Sequence, residues 1–186
     1  MIIKIQLFIF QLTRSFLTII KIILLSDLLM QKIKININSL DSSLEVSKKL
    51  SKIGSEHIIQ ALDDIFNDKA KFVEQENIFA TDAKKIKKEE GKINWEESAK
   101  NILGKINGLN PNPGAWFEYK KIRYKIWKAK IFEKRGNIGI ILDNHFSIAC
   151  KDKSIKLIEI QKEGRNRLSL KDYLMGVNYN VGDKVE

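Results

Sequence analysis

The chain of 186 residues has a single cysteine, Cys150. That excludes a disulfide framework and a cysteine-based zinc site, each of which needs several cysteines at set spacings. Histidine is nearly as scarce: His57 falls mid-helix beside Ile58 and Ile59, and His145 falls in a turn beside Asn144. Neither sits in a recognisable motif, so both read as structural and no hydrolytic triad can be assembled. There is no dinucleotide-binding GxGxxG, no phosphate-binding GxxxxGK followed by Ser or Thr, and no metal-ligand spacing. Only two prolines occur, Pro111 and Pro113, and arginine supplies just five of the 33 basic residues: Arg14, Arg123, Arg135, Arg165 and Arg167.

The last scarcity bears on the net charge of +10. Clustered Lys and Arg neutralise phosphates, so a basic chain invites a nucleic-acid reading. Here lysine far outnumbers arginine, and Ile and Asn are abundant, as in an A/T-rich coding sequence. The charge alone therefore says little about binding. With 44% hydrophobic and 30% charged residues the chain reads as globular, with room for one ordinary domain or two small ones.

No uncharged run is long enough to cross a membrane. The most apolar stretch, Met1 to Leu25, is cut by Lys4, Arg14 and Lys21 into pieces shorter than the 18 to 20 or so residues a spanning helix needs. It also lacks a small-residue cleavage site after the apolar core, which argues against a signal peptide. A buried strand or helix whose packing partners lie outside this chain ranks above a membrane anchor.

Farther on, Ile33, Ile35 and Ile37 alternate as in a half-buried strand. Asp41-Ser42-Ser43 offers capping oxygens to one long amphipathic helix from about Leu44 to Phe66, stopped by Asn67-Asp68-Lys69 and expected to pack on a sheet. The run Asp82 to Lys92 has only Ile86 to bury and reads as a solvated linker. Asn94 and Glu97 have capping-box spacing before a second helix with Ala99, Ile102, Leu103 and Ile106 on one face, which the proline turn ends. Five short runs then read as strands: Trp116–Tyr119, Ile122–Phe132, Ile138–Leu142, Phe146–Cys150 and Ile155–Ile160. Their spacing suggests a small antiparallel barrel of the OB type. Ser169 and Asp172 open a short terminal helix, Leu170–Met175, closed by Gly176. Cys150 reads as a small core residue.

Two basic features stand out. One is the linker cluster Lys84, Lys85, Lys87, Lys88 and Lys92. The other is the strand from Lys120 to Phe132, where alternation sets Ile122, Tyr124 and Ile126 against Lys121, Arg123 and Lys125. Lys128 and Lys130 follow one step out of phase, which predicts a bulge near Ile126-Trp127.

Four motifs carry a family resemblance. Asp82-Ala-Lys-Lys-Ile-Lys-Lys-Glu-Glu-Gly-Lys-Ile-Asn-Trp95 resembles the interdomain segment of bacterial methionyl-tRNA formyltransferases, approximately A-x-K-(I/L)-x-K-E-E-x-x-I-(D/N)-W. Ile106-Asn-Gly-Leu-Asn-Pro-Asn-Pro-Gly-Ala-Trp116 is similar to that family's I-R-A-F-N-P-W-P-G-A-W, with Asn112 where Trp is usual. Lys125-Ile-Trp-Lys-Ala129 resembles its K-(V/I)-(W/L)-(K/R)-A strand. Ile160 to Leu174 resembles its Q-x-x-G-(K/R)-x-x-(M/L)-S-x-x-(D/E)-(F/L)-L. Upstream, Asp27 matches only the last residue of the family's L-D-x-G-D motif, Leu24 stands at the catalytic Asp, and the catalytic Asn and His would lie before Met1.

The resemblance implies an α+β chain. Residues 1–26 are unmatched, and 27–68 are a truncated remnant of the Rossmann-like formyltransferase catalytic domain. Residues 69–93 are a basic linker, and 94–186 form an OB-like antiparallel β-barrel with flanking helices. Residues 1–26 are expected to be out-of-frame or mis-started text, which sequencing the locus would check. The family transfers a formyl group from 10-formyltetrahydrofolate to methionyl initiator tRNA, and its C-terminal part holds the tRNA. The resemblance thus implies phosphate contacts from Lys84, Lys85, Lys87, Lys88, Lys121, Arg123, Lys125, Lys128 and Lys130, with no catalytic residue, metal or cofactor in this chain. Initiator methionyl-tRNA is the implied partner and the cytoplasm the implied location, with no membrane. A split enzyme completed by a separately encoded catalytic-domain chain, a free-standing RNA-binding module and a non-functional gene fragment stay open.

Overall fold

A computed structural model describes residues 28–29, 33–74, 84–177 and 179–186. The expectations for residues 1–27 and the opening Asp82-Ala83 of the linker motif lie outside them. Among the described residues, those up to Ile37 group with Ser47–Lys84 in one unit, and Asn38–Val46 group with Lys85–Glu186 in a second.

In the first unit, β1 (Leu28–Leu29) pairs antiparallel with β2 (Val73–Glu74), Leu28 opposite Glu74. Helix α1 spans Ser43–Phe66, its residues up to Val46 grouping with the second unit and the rest with the first. Its start is a capping box: the Ser42 backbone N–H donates to Glu45 Oε2 at 2.6 Å and the Glu45 N–H donates to Ser42 Oγ at 3.3 Å. At its end Asp68 takes a φ of 55°, and the Lys69 N–H returns to the Asp64 carbonyl at 2.8 Å. No residue of α1 is buried, and Ile59 and Phe66 are 63% and 71% exposed. The half-buried strand expected at Ile33–Ile37 is not a strand. Its alternation survives only in part, with Ile33 and Ile35 half-buried and Lys34 exposed but Ile37 exposed as well, and no ladder forms there among the described residues. Alternation fixes which side chains face inward; a strand also needs a neighbour to pair with.

The second unit is an antiparallel curled sheet with helices, an α+β arrangement. Its strands are β3 (Ala115–Tyr119), β4 (Ile122–Phe132), β5 (Ser147–Ala149), β6 (Ser154–Lys162) and β7 (Arg167–Ser169), in the order β3-β4-β6-β5, with β7 also on β6. The segment read as a strand at Ile138–Leu142 forms only isolated bridges, Ile140 with Lys184 and Ile141 with Ile148. These bridges join the sheet's two edges. Glu118 and Glu186 exchange backbone hydrogen bonds along β3, the Val185 N–H donates to the Gly139 carbonyl, and the Gly139 N–H donates to the Ala149 carbonyl on β5. Both edges thus satisfy backbone groups that would otherwise invite pairing with another chain.

Helix α2 (Ala99–Gly108) lies against β4 and β6 and buries the expected four residues, Ala99, Ile102, Leu103 and Ile106. Each isoleucine contributes about 1.5–3 kcal/mol by leaving water. Its cap is not the predicted Asn94 but Ser98, whose Oγ accepts from the Asn101 N–H at 3.3 Å; Asp152 Oδ1 accepts from the Ala99 N–H at 2.8 Å. Asn94 instead holds a turn, accepting from the Glu96 N–H. Ser98 carries the same local chemistry, and Asp152, 53 residues away, could not be read from spacing. The terminal helix α3 (Leu170–Leu174) is capped by Ser169 as expected. Its Tyr173 hydroxyl is buried against the Tyr124 hydroxyl at 2.9 Å, and burial raises the Tyr173 pKa well above its ordinary value. Cys150 is a buried free thiol.

The turn before β5 turns on one carboxylate. Asp143 Oδ1 accepts from the backbone N–H groups of His145 and Ser147 at 3.0 and 3.1 Å. Burial pushes its pKa up, but those hydrogen bonds and nearby Lys134 together leave it below the ordinary value. Because the folded pKa is depressed, this stabilisation is complete above the unfolded value of about 3.9 and is lost as pH falls through the folded value. Asp143→Ala should therefore cost about 1–3 kcal/mol in urea melts near neutral pH and progressively less below about pH 4, as the native carboxylate protonates. An equal gap between the two proteins at both pH values would show that the carboxylate does not anchor the turn.

Candidate nucleic-acid interface

Strand β4 sorts its side chains by face. Tyr124, Ile126 and Ala129 are buried, while Arg123, Lys125 and Trp127 are half-buried on the other side and Lys128 and Lys130 are exposed. The predicted bulge is present: the register with β6 slips between Ile126 and Lys128, and again before Ala129. The extra residue turns Trp127 and Lys128 to the same side, so the basic positions before and after the slip share one face. Lys121 does not belong to the strand. It forms with Lys120 the two-residue β3–β4 turn, at φ values of 62° and 50°. Turns with two left-handed residues match strand twist but favour Asn and Gly. Lys121→Gly should accordingly raise stability by about 1 kcal/mol, seen as a higher melting temperature; no increase would show that the lysine side chain compensates for its backbone.

Neighbouring strands extend the face. Trp116, Lys125, Gln161 and Arg167 occupy one rung across β3, β4, β6 and β7. The Arg123 guanidinium lies 3.6 Å from the Trp116 ring centroid. The Trp116 indole N–H donates to the Lys88 carbonyl at 3.1 Å. The Trp127 indole donates to Gln161 Oε1 at 3.0 Å, with the Arg167 guanidinium 4.7 Å from its centroid. Arg167 is ion-paired with Glu159, and Lys92 with Glu118 at 3.1 Å. Arg123, Lys128 and Lys130 have no carboxylate in salt-bridge range among the described residues, and Lys130 lies directly opposite Lys156. Like charges facing each other across a ladder are unfavourable unless an anion neutralises them.

Lys125 has a different role. Its Nζ donates to the Pro111 carbonyl at 2.7 Å and lies 4.2 Å from the Trp127 centroid, and burial lowers its pKa from the ordinary value. It ties down the proline turn, where Gly114, at a φ of 88°, leaves room that a β-carbon would take from the Lys125 side chain.

Lys84, Lys85, Lys87 and Lys88 are all exposed. The segment is more docked than a solvated linker. A short 3-10 turn, Lys88–Gly91, brings the Lys88 carbonyl to Trp116, and Gly91 is buried so close to the Gly114 carbonyl that a β-carbon would collide with it. Lys88 therefore borders the face, and Lys85 and Lys87 precede it in the same unit; Lys84 belongs to the other unit. Sequence reading missed Trp116 and Trp127 as outward residues, and Gln161, Lys156 and Arg167 altogether. Alternation around buried Phe117 marks Trp116; Arg167 needed the pairing of a three-residue strand. Both histidines are exposed, and no cluster of three or more metal-ligating side chains occurs among the described residues.

Residues 85–178 match the model of the formyl transferase C-terminal domain. The chain belongs to this formyltransferase family. Among its relatives, the methionyl-tRNA formyltransferase of Pelagibacter ubique (strain HTCC1062) is 43% identical over 153 residues, 82% of this chain and 49% of that protein. The Carboxydothermus hydrogenoformans methionyl-tRNA formyltransferase is 36% identical over 166 residues, 86% of this chain and 53% of that protein. The chain thus spans about half the length of the curated relatives it matches. A crystal structure of a HypX variant from Aquifex aeolicus superimposes with a TM-score of 0.60 at 17% identity, over 78% of this chain and 28% of that one. HypX solved in complex with tetrahydrofolic acid gives 0.51 at 20% identity, over 64% of this chain and 22% of that one. At those identities they show a shared fold alone. Among the described residues no helix is long and apolar enough to cross a membrane.

Proposed function

We propose that this chain is the tRNA-holding C-terminal part of a methionyl-tRNA formyltransferase, acting in the cytoplasm and gripping initiator methionyl-tRNA by its phosphates. The observation that carries this is the outward face of β4, where Arg123, Lys128 and Lys130 have no carboxylate partner among the described residues and Lys130 pairs with Lys156 across the ladder. Lys121, Lys85, Lys87 and Lys88 extend the positive rim, and Lys84 adds to the linker's charge. In this reading the edge-joining hydrogen bonds of residues 139–141 and 183–186 close the sheet into an OB-like barrel for residues 94–186. Residues 27–68 are the remnant of a Rossmann-like catalytic domain, and 69–93 join the two.

The formyl donor, 10-formyltetrahydrofolate, would need a cleft with converging hydrogen-bonding groups. The groove lined by Ile86, Glu90, Gly104, Lys105, Gly108 and Leu109 exposes mostly apolar surface and is a poor match for the donor. We assign the donor's site to the family's catalytic domain, which a split enzyme would supply as a separate chain. The chain alone is thus expected to bind tRNA without formylating it.

A filter-binding titration with an initiator tRNA transcript tests the reading. Affinity should fall steeply and log-linearly with salt, as counterion release requires; weak, salt-insensitive binding would overturn it and favour an inert gene remnant. Formyl transfer by the purified chain, given donor and methionyl-tRNA, would overturn the assignment of catalysis elsewhere.

A further inference from the structure

The rung across β3, β4, β6 and β7 holds more than positive charge. Both outward tryptophans have an arginine over the ring: Arg123 on Trp116 at 3.6 Å and Arg167 on Trp127 at 4.7 Å. The chain has only five arginines among 33 basic residues, so two of the five lie on this face against indoles. Arg167 is already neutralised by Glu159, which leaves it little net charge to offer a phosphate. What it retains is a flat guanidinium. Each indole is fixed through its N–H, Trp116 to the Lys88 carbonyl and Trp127 to Gln161, so the rings are held at a set angle on the sheet. Arginine planes and indoles share a ligand preference: the face of an unstacked base.

We infer that the Trp116–Arg123 and Trp127–Arg167 stacks are seats for unpaired nucleobases, so that the face grips a single-stranded segment of its RNA and not only a paired stem. The inference rests on the RNA-binding reading above and adds a class of ligand to it. Geometry favours the splayed strand. Trp116 pairs with Lys125, and Trp127 lies two residues beyond Lys125 on the neighbouring strand, so the two indoles spring from backbone positions roughly 8 Å apart. Stacked neighbours in one strand of a duplex are about 3.4 Å apart, and their faces are covered by one another. Two bases can occupy both seats only if the strand between them is extended. Lys125, on the same rung as Trp116 and Arg167, is tied to the Pro111 carbonyl and keeps the floor of the site in place.

The test uses the full chain and two labelled RNAs with equal numbers of phosphates, a blunt duplex and a shorter duplex carrying a four-nucleotide single-stranded overhang. The wild-type protein should prefer the overhang RNA by about fivefold or more, the low end of what base stacking on aromatics contributes. Arg123→Lys combined with Arg167→Lys keeps both charges and removes both planes. It should abolish that preference, read as the ratio of overhang to blunt-duplex affinity within the same variant. An overhang stripped of its bases, offered to the wild-type protein, should lose the preference equally, which separates the effect from any disturbance of folding. Equal wild-type affinity for the two RNAs, or a preference that survives both the Lys substitutions and the loss of the bases, overturns the inference while leaving phosphate binding intact. Salt-insensitive binding to both RNAs overturns the underlying reading as well.

Discussion

Replacing Phe117 by alanine is expected to destabilise the second unit by about 3–5 kcal/mol, the usual cost of deleting a fully enclosed aromatic ring. Phe117 is 0% exposed on the inner face of β3. Its ring stacks on Tyr124 at 5.5 Å, meets the edge of Trp95 at 5.9 Å and lies 6.4 Å from Phe146. It therefore ties two strands, the segment before α2 and the loop before β5 to one point. No neighbour can collapse into the space, because each belongs to a different element and is itself buried. For a unit of this size each kcal/mol moves the midpoint by about 4–8 °C, so the loss should be at least about 12 °C. Against a typical total of about 5–15 kcal/mol, the variant would sit near the limit of folding. Leu168→Ala is the contrast: at 42% exposure on β7 it should cost well under half as much. Thermal and urea melts check both; similar losses for the two would mean that the aromatic cluster is not the centre of the core.

What could be read from the sequence follows from how local each feature is. Helix α1 and the buried face of α2 were legible because spacing, caps and stop signals lie within a few residues of one another. The long strand β4 and its bulge were legible because the phase of alternation visibly slips at Ile126-Trp127. Features that depend on a distant partner were not. Ile33–Ile37 alternates but finds no ladder, Asp152 reaches the start of α2 from 53 residues away, and the edge-joining contacts of Gly139 and Ile141 come from Gly182, Asp183 and Val185 near the end of the sequence. The site divided the same way. A run of Lys and Arg in one strand announces a basic face, but nothing local says that Lys125 is committed to Pro111 or that Arg167 lies on Trp127. The family motifs compensated in part, since the Asn-Pro-Asn-Pro-Gly turn and the Lys-Ile-Trp-Lys-Ala strand proved to be the two halves of one contact, joined by the Lys125 hydrogen bond.

Neutralising Lys121, Lys128 and Lys130 together by glutamine should weaken tRNA binding on the order of a hundredfold at physiological ionic strength and lower the salt slope by about two to three. Each exposed ammonium that meets a phosphate releases about one condensed counterion, so the loss accumulates and shrinks as salt is raised. Lys121 lies in the β3–β4 turn, and Lys128 and Lys130 follow the bulge, so the three positions run the length of the face. None of them makes a hydrogen bond or ion pair with another described side chain, so folding should be unaffected. Relief of the Lys130–Lys156 opposition would even raise stability slightly. Net charge alone could imitate the result, which is why the comparison must be a second triple variant. Lys100→Gln, Lys151→Gln and Lys171→Gln remove the same three charges from exposed positions outside the face. If affinity depends on where the charge sits, this control keeps most of its binding and most of its slope. If both variants lose equally, the attraction is a diffuse property of a lysine-rich chain and the β4 face is not where the RNA rests.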